Sequence, residues 1–148
     1  LKIIVINGPN LNLLGEREPQ IYGKESLLEI MEWLQLQPVA RGHHLSWVQS
    51  NHEGTLIDYL HEAKAKMDGI LINPGALAHY SFALRDAIAA VGLPTVEVHL
   101  SDINTREDFR KVSVIKEVCI GHITGLGKNS YVEGLKLLLE NLASCSKI

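Results

Sequence analysis

Short runs of β-branched and aliphatic residues alternate with amphipathic stretches from one end of this chain to the other, and that alternation restricts what it can fold into. The apolar runs fall at residues 2–6, 45–49, 69–72, 95–99 and 117–121. Most lack the strict apolar–polar alternation of a half-exposed strand, as expected when helices cover both faces of a sheet. Between the first two runs, Ser26 followed by Glu29 forms a capping-box start for a helix with Leu27, Ile30, Met31 and Leu34 on one face. A second helix is predicted after Asn51, burying Leu56, Leu60 and Ala63. A third covers about 81–91 and stops at Gly92-Leu93-Pro94. A short helical turn is expected near 105–110, and a last helix over about 131–143. Nothing reads as a repeat, a linker or a low-complexity tract, so one domain over residues 1–148 is expected.

Strands joined by helical crossovers make a parallel sheet with right-handed connections. The predicted fold class is therefore α/β, a flavodoxin-like three-layer sandwich with strand order 2-1-3-4-5 and helices on both faces. Such sheets bind ligands beyond the carboxyl ends of the strands, near the switch point between strands one and three. Asn10, Arg17 and Tyr22 follow strand one, Asn73 and His79 follow strand three, and Glu97, His99, Leu100 and Ser101 end strand four. No lysine stands at these ends, which disfavours Schiff-base chemistry. No carboxylates crowd the ends of strands one and three, as a magnesium and phospho-acceptor site would require. The segment Gly125-Leu126-Gly127-Lys128 lacks the third glycine of a dinucleotide loop and reads as a turn into the last helix. Only His79 and His99 of the seven histidines are expected at the mouth, which leaves a zinc site one ligand short, so no metal and no cofactor are predicted. A net charge of −3 gives no electrostatic footprint for nucleic acid or for a membrane surface. No apolar run is long enough to cross a bilayer, and no secretory leader is apparent. Cys119 and Cys145 make no disulfide framework, and a cytoplasmic setting is the expectation.

Glu97 and His99 are two apart on a predicted strand, so their side chains share a face, and the carboxylate can fix the imidazole tautomer and support its cation. The loop after strand one runs for roughly fifteen residues, a length often met in active-site lids. Gly15 and Gly23 bracket Arg17 and Tyr22 within it. A free phenol ionises only near pH ~10, and a guanidinium neighbour favours its anion. The lid thus carries a base together with an activator.

The stretches NGPNLNLLGEREPQIYG (7–23), QSNHEGTLID (49–58), INPGALAHYSFALRDA (72–87) and VEVHLSDINTREDFRKVS (96–113), with GHITGLG (121–127) more weakly, resemble the type II 3-dehydroquinases, in the family's order and over almost the whole chain. The resemblance implies a flavodoxin-like hydro-lyase without metal or organic cofactor. Its substrate would be 3-dehydroquinate, its setting the shikimate pathway or quinate breakdown, and its assembly a dodecamer of four trimers. It implies Tyr22 as the base at C2, with Arg17 and Arg106 holding it as phenolate, and Asn10 serving the enolate oxygen. His99, backed by Glu97, would protonate the departing hydroxyl, and Asn73 would hold His99 and substrate. The Leu100 and Ser101 amides would take the carboxylate, His79 and Arg110 the ring hydroxyls, and Asp86 would reach in from a neighbouring subunit. The chain departs from the family pattern at Ala78, Tyr80, Asp102 and Ser130, where changes in loop packing or subunit contact are expected. Asp102 is also expected to weaken carboxylate binding. Rival readings are a flavin-binding protein, which would want a Ser/Thr-rich loop after strand one, a Schiff-base dehydratase and a non-catalytic interaction module.

Overall fold

The computed structural model describes residues 1–146; the last two residues of the expected domain, 147 and 148, lie outside the described residues. Five parallel strands form one sheet, β1 (Lys2–Asn7), β2 (His44–Gln49), β3 (Gly69–Asn73), β4 (Thr95–His99) and β5 (Gly121–Thr124), in the order β2-β1-β3-β4-β5 that the sequence predicts. The helices are α1 (Pro19–Tyr22), α2 (Leu27–Gln35), α3 (Glu53–Lys66), α4 (Phe82–Val91) and α5 (Asn129–Cys145). Ser26 and Glu29 form the reciprocal cap expected at the start of α2, and Ser81 caps α4. No helix among the described residues is long and apolar enough to cross a membrane.

Side-chain alternation along the strands builds two cores. Ile3, Val5, Leu71, Val96 and Val98 pack against α2 and α5 on one face. Ile4, Ile6, Ile70 and Ile72 pack against α3 and α4 on the other. α5 lies close to the sheet because residue 134 is glycine: a Cβ there would sit 2.5 Å from Val98 and 2.8 Å from Leu71.

The fifth strand differs from expectation. Residues 116–118 form a 3-10 turn, and the strand begins at Gly121, where the predicted run ends. Val118 and Cys119 are apolar because they cover the second core from that turn. The true strand is an edge, half-buried along its length. The shift brings His122 into register with Glu97. The helical turn expected near 105–110 is divided into two 3-10 turns, Ile103–Thr105 and Asp108–Lys111.

Candidate active site

The loops after β1 and β3 interlock at the switch point. Gly8 donates its amide to the Asn73 carbonyl at 2.8 Å. A Cβ on Gly8 would stand 2.6 Å from the Pro74 carbonyl oxygen, so only glycine permits this approach. The end of β2 locks the same loop: Gln49 Nε2 donates to the Gly8 carbonyl and to Asn51 Oδ1, which also accepts the Asn10 amide. Asn10 takes a left-handed conformation (φ 69°), which asparagine tolerates better than most residues. These bonds give the QSN segment a supporting role that its sequence alone does not disclose.

Above the interlock lies a small cleft, partly open to solvent. Asn10, Arg17, Tyr22, Asn73, His79 and His99 line it, together with Leu100, Ser101, Arg106 and Arg110, so residues far apart in the chain converge as expected. No lysine and no carboxylate is among the described lining residues.

The long loop carries Tyr22 on the single turn α1, between Gly15 and Gly23, both at positive φ. The Tyr22 ring packs against the first core, while its hydroxyl accepts a hydrogen bond from Arg106 Nη1 at 2.6 Å. The Arg17 and Arg106 guanidinium carbons lie 5.0 and 5.2 Å from the ring centroid. Arg106 also reaches Ser101 Oγ at 3.3 Å and stands 3.8 Å from Glu18. It thereby ties the loop to the end of β4.

His99 lines the cleft with fully buried Glu97 behind it. His99 Nε2 and Glu97 Oε1 are 2.7 Å apart, so the ring N–H donates to the carboxylate. Ser113 Oγ lies 2.7 and 2.8 Å from the two carboxylate oxygens. His79 donates from Nδ1 to the Val112 carbonyl at 2.7 Å, and its ring stands almost parallel to His99 with centroids 6.3 Å apart. Burial pushes His79 and His122 below the usual histidine range, which favours the neutral rings. Burial pushes the Cys119 thiol up to about 12, so this cysteine is no nucleophile at neutral pH.

Ser113, His122 and Tyr131 were not anticipated. The fully buried Tyr131 donates to Asn7 Oδ1 at 2.7 Å and accepts from Asn73 Nδ2 at 3.0 Å, while Asn73 Oδ1 accepts the Gly75 amide. Burial raises the Tyr131 phenol, so it keeps its proton and can donate. Through this network α5 sets the orientation of an asparagine at the cleft floor. Tyr131→Phe is expected to leave both asparagines short of a partner and to lower stability by about 1–3 kcal/mol. Urea denaturation measures this, and an unchanged midpoint would mean that the asparagines find other partners.

Asp86 does not line the cleft; it is exposed on α4. Asp102 caps the 3-10 turn that follows it, its carboxylate accepting the Asn104 amide at 3.0 Å. Ser130 is buried and accepts the Leu126 amide, which gives this departure a local packing role. Ala78 is buried and Tyr80 exposed.

The profile of the family described as Dehydroquinase class II matches residues 1–139. A 3-dehydroquinate dehydratase from Nostoc sp. is 56% identical over 142 residues, covering 96% of this chain and 97% of its own. The 3-dehydroquinate dehydratase of Carboxydothermus hydrogenoformans is 55% identical over 142 residues, covering 96% and 92%. Among solved structures, the type II dehydroquinase from Butyrivibrio crossotus superposes with a TM-score of 0.91 at 45% identity, covering 94% of this chain and 97% of the other.

Proposed function

This chain belongs to the class II dehydroquinase family, and from that premise we propose that it removes water from 3-dehydroquinate to give 3-dehydroshikimate, with Tyr22 as base and His99 as acid. The observation that carries the reading is the pairing of two opposed groups in one cleft. On one side a phenol stands against two guanidinium groups. On the other stands a histidine whose far nitrogen is bonded to a buried carboxylate.

The C–H beside a ketone is a weak acid, and its removal needs a base, a stabiliser for the enolate oxygen and an acid for the leaving hydroxyl. Tyr22 Oη takes the proton from C2 of the substrate, and the electron pair moves into an enolate. Arg17 and Arg106 favour negative charge on Oη before the step. Asn10 supplies hydrogen bonding to the enolate oxygen. The enolate then collapses, the C1–O bond breaks, and His99 delivers a proton to the departing hydroxide, which leaves as water. Glu97 stabilises the imidazolium that makes this donation. The Leu100 and Ser101 amides hold the substrate carboxylate. Asn73, His79 and Arg110 hold its remaining oxygens. The product, 3-dehydroshikimate, lies on the shikimate pathway.

The same reading brings Asp86 to the site only from a second copy of the chain, as in a dodecamer of four trimers. Phe82, the first residue of α4 and one helical turn from Asp86, and Tyr80, two residues before it, are exposed by 65% and 63% and offer apolar surface suited to such a contact. Native mass spectrometry reads the assembly directly, and a monomer at working concentration would remove Asp86 from the site.

The test of the function is the appearance of the conjugated enone. With 3-dehydroquinate as sole substrate and a chelator present, ultraviolet absorbance is expected to rise. Borohydride added with substrate should leave activity intact, because no lysine lines the described cleft. A flat trace would remove the activity, and permanent inactivation by borohydride would replace the enolate route with a Schiff base.

A further inference from the structure

His122 belongs to none of the steps above, yet it completes a set of donors behind the cleft. Glu97 and His122 are register partners on β4 and β5, and His99 lies two residues further along β4 on the same face. Glu97 Oε1 is 2.7 Å from His99 Nε2 and 3.7 Å from His122 Nε2. All three donor atoms lie within 4.8 Å of one another, and the two imidazole centroids are 5.7 Å apart. His122 Nε2 is buried and has no hydrogen-bond partner. A buried ring nitrogen without a partner is costly and calls for an explanation.

We propose that Glu97, His99 and His122 form a binding site for a divalent transition-metal ion, Zn²⁺ in the first place, whose occupation inhibits the enzyme. Two imidazole nitrogens and one carboxylate oxygen are the donor set of three-ligand zinc sites. The same set is poor for Mg²⁺ and Ca²⁺, which favour all-oxygen ligands. Zinc bonds of about 2.0–2.1 Å in a tetrahedral arrangement put donors roughly 3.3 Å apart. The His99–Glu97 separation must therefore open, and the His122–Glu97 separation close, each by about half an ångström. Rotation of the two imidazole rings must supply that adjustment and also draw together their donor nitrogens, which stand within 4.8 Å of each other. The carboxylate needs no new support, since Ser113 Oγ already holds it as an outer partner.

Metal binding takes the lone pair of His99 Nε2. The proton that this nitrogen shares with Glu97 moves to Nδ1, and the ring is held neutral by the ion. Such a ring cannot gain the second proton needed to protonate a leaving hydroxyl. The inhibitory half of the inference rests on the reading of His99 as acid; the binding half stands without it.

The full-length, metal-stripped protein is titrated with Co²⁺, whose visible ligand-field spectrum reports coordination. Zn²⁺ is then added to displace it, and turnover is followed in parallel. One equivalent of Co²⁺ is expected to give a bound spectrum that Zn²⁺ abolishes. Zn²⁺ is expected to inhibit turnover at micromolar levels, with chelator restoring it and millimolar Mg²⁺ having no effect. His122→Gln should keep the turnover of the parent in chelator, lose the Co²⁺ spectrum and lose Zn²⁺ sensitivity by about tenfold or more. If that variant does not fold, imidazole NMR of the parent replaces it, and one equivalent of Zn²⁺ should move the His99 and His122 rings alone. The absence of a Co²⁺ spectrum, or an equal response in His122→Gln, would overturn the site. So would movement of His43, which lies 3.4 Å from the N-terminal amine and is the competing ligand pair. Binding lost in His122→Gln but without inhibition would uphold the site and overturn the reading of His99.

Discussion

Replacing Tyr22 with phenylalanine is expected to lower kcat by about 10²–10⁴-fold, the usual share of a positioned general base, while leaving the fold intact. The two effects separate because the ring and the hydroxyl have different duties. The ring packs on the first core and lies against Arg17 and Arg106, and phenylalanine keeps those contacts. The hydroxyl accepts one hydrogen bond, from Arg106, which retains Ser101 and Glu18 as neighbours. Thermal unfolding should therefore change little. The proposed chemistry loses its base. Opposite unit charges about 4 Å apart attract by about 4 kcal/mol near a protein surface. Two guanidinium groups can offer that attraction only to an ionised oxygen. KM should change less than kcat, since the hydroxyl acts chiefly as the proton leaves carbon. The decisive measurement is steady-state kinetics of the enone signal beside a melting curve. Near-normal turnover by a well-folded Tyr22→Phe would place the base elsewhere in the cleft.

The sequence disclosed most where the physics was local. The three inner strands β1, β3 and β4 are buried runs and β2 is a half-buried edge of six residues, and their apolar content and length suffice to find them. The capping box at Ser26 and Glu29 depends on neighbours three residues apart and was legible for the same reason. The fifth strand was not. Its four residues are Gly121, His122, Ile123 and Thr124, a half-buried edge, whereas the preceding Val118 and Cys119 owe their apolar character to the packing of a turn. Misplacing that strand hid His122, because only the correct register sets it opposite Glu97. The strand-end rule brought Asn10, Asn73, Glu97 and His99 to notice without any family argument. Arg106 and Arg110 stand in a loop after β4 with no periodic signal, and only the resemblance picked them out. Ser113 and Tyr131 meet the site through bonds spanning 16 and 58 residues of chain, and no local pattern encodes such a meeting.

His99→Ala is expected to slow loss of water severely yet spare removal of the proton from C2. In the proposed mechanism the two steps use separate groups on separate elements, Tyr22 on α1 and His99 at the end of β4, so each should be removable alone. In heavy water, substrate incubated with the parent should exchange its C2 hydrogen and also form enone. With His99→Ala the exchange should persist while enone formation falls by about 10²–10⁴-fold, because the enolate still forms but its hydroxyl must depart without a proton. With Tyr22→Phe both signals should fall together. Glu97→Gln should lie between parent and His99→Ala. An amide can still meet the His99 N–H, but it carries no charge to favour the imidazolium, and Ser113 Oγ, now facing an amide in place of a carboxylate, holds it less firmly. Proton NMR of the substrate follows the exchange, and absorbance follows the enone. Loss of exchange in a folded His99→Ala protein would mean that this histidine acts at the first step. The division of labour between phenol and imidazole would then have to be redrawn, with the Glu97–His99 pair facing the ketone rather than the leaving group.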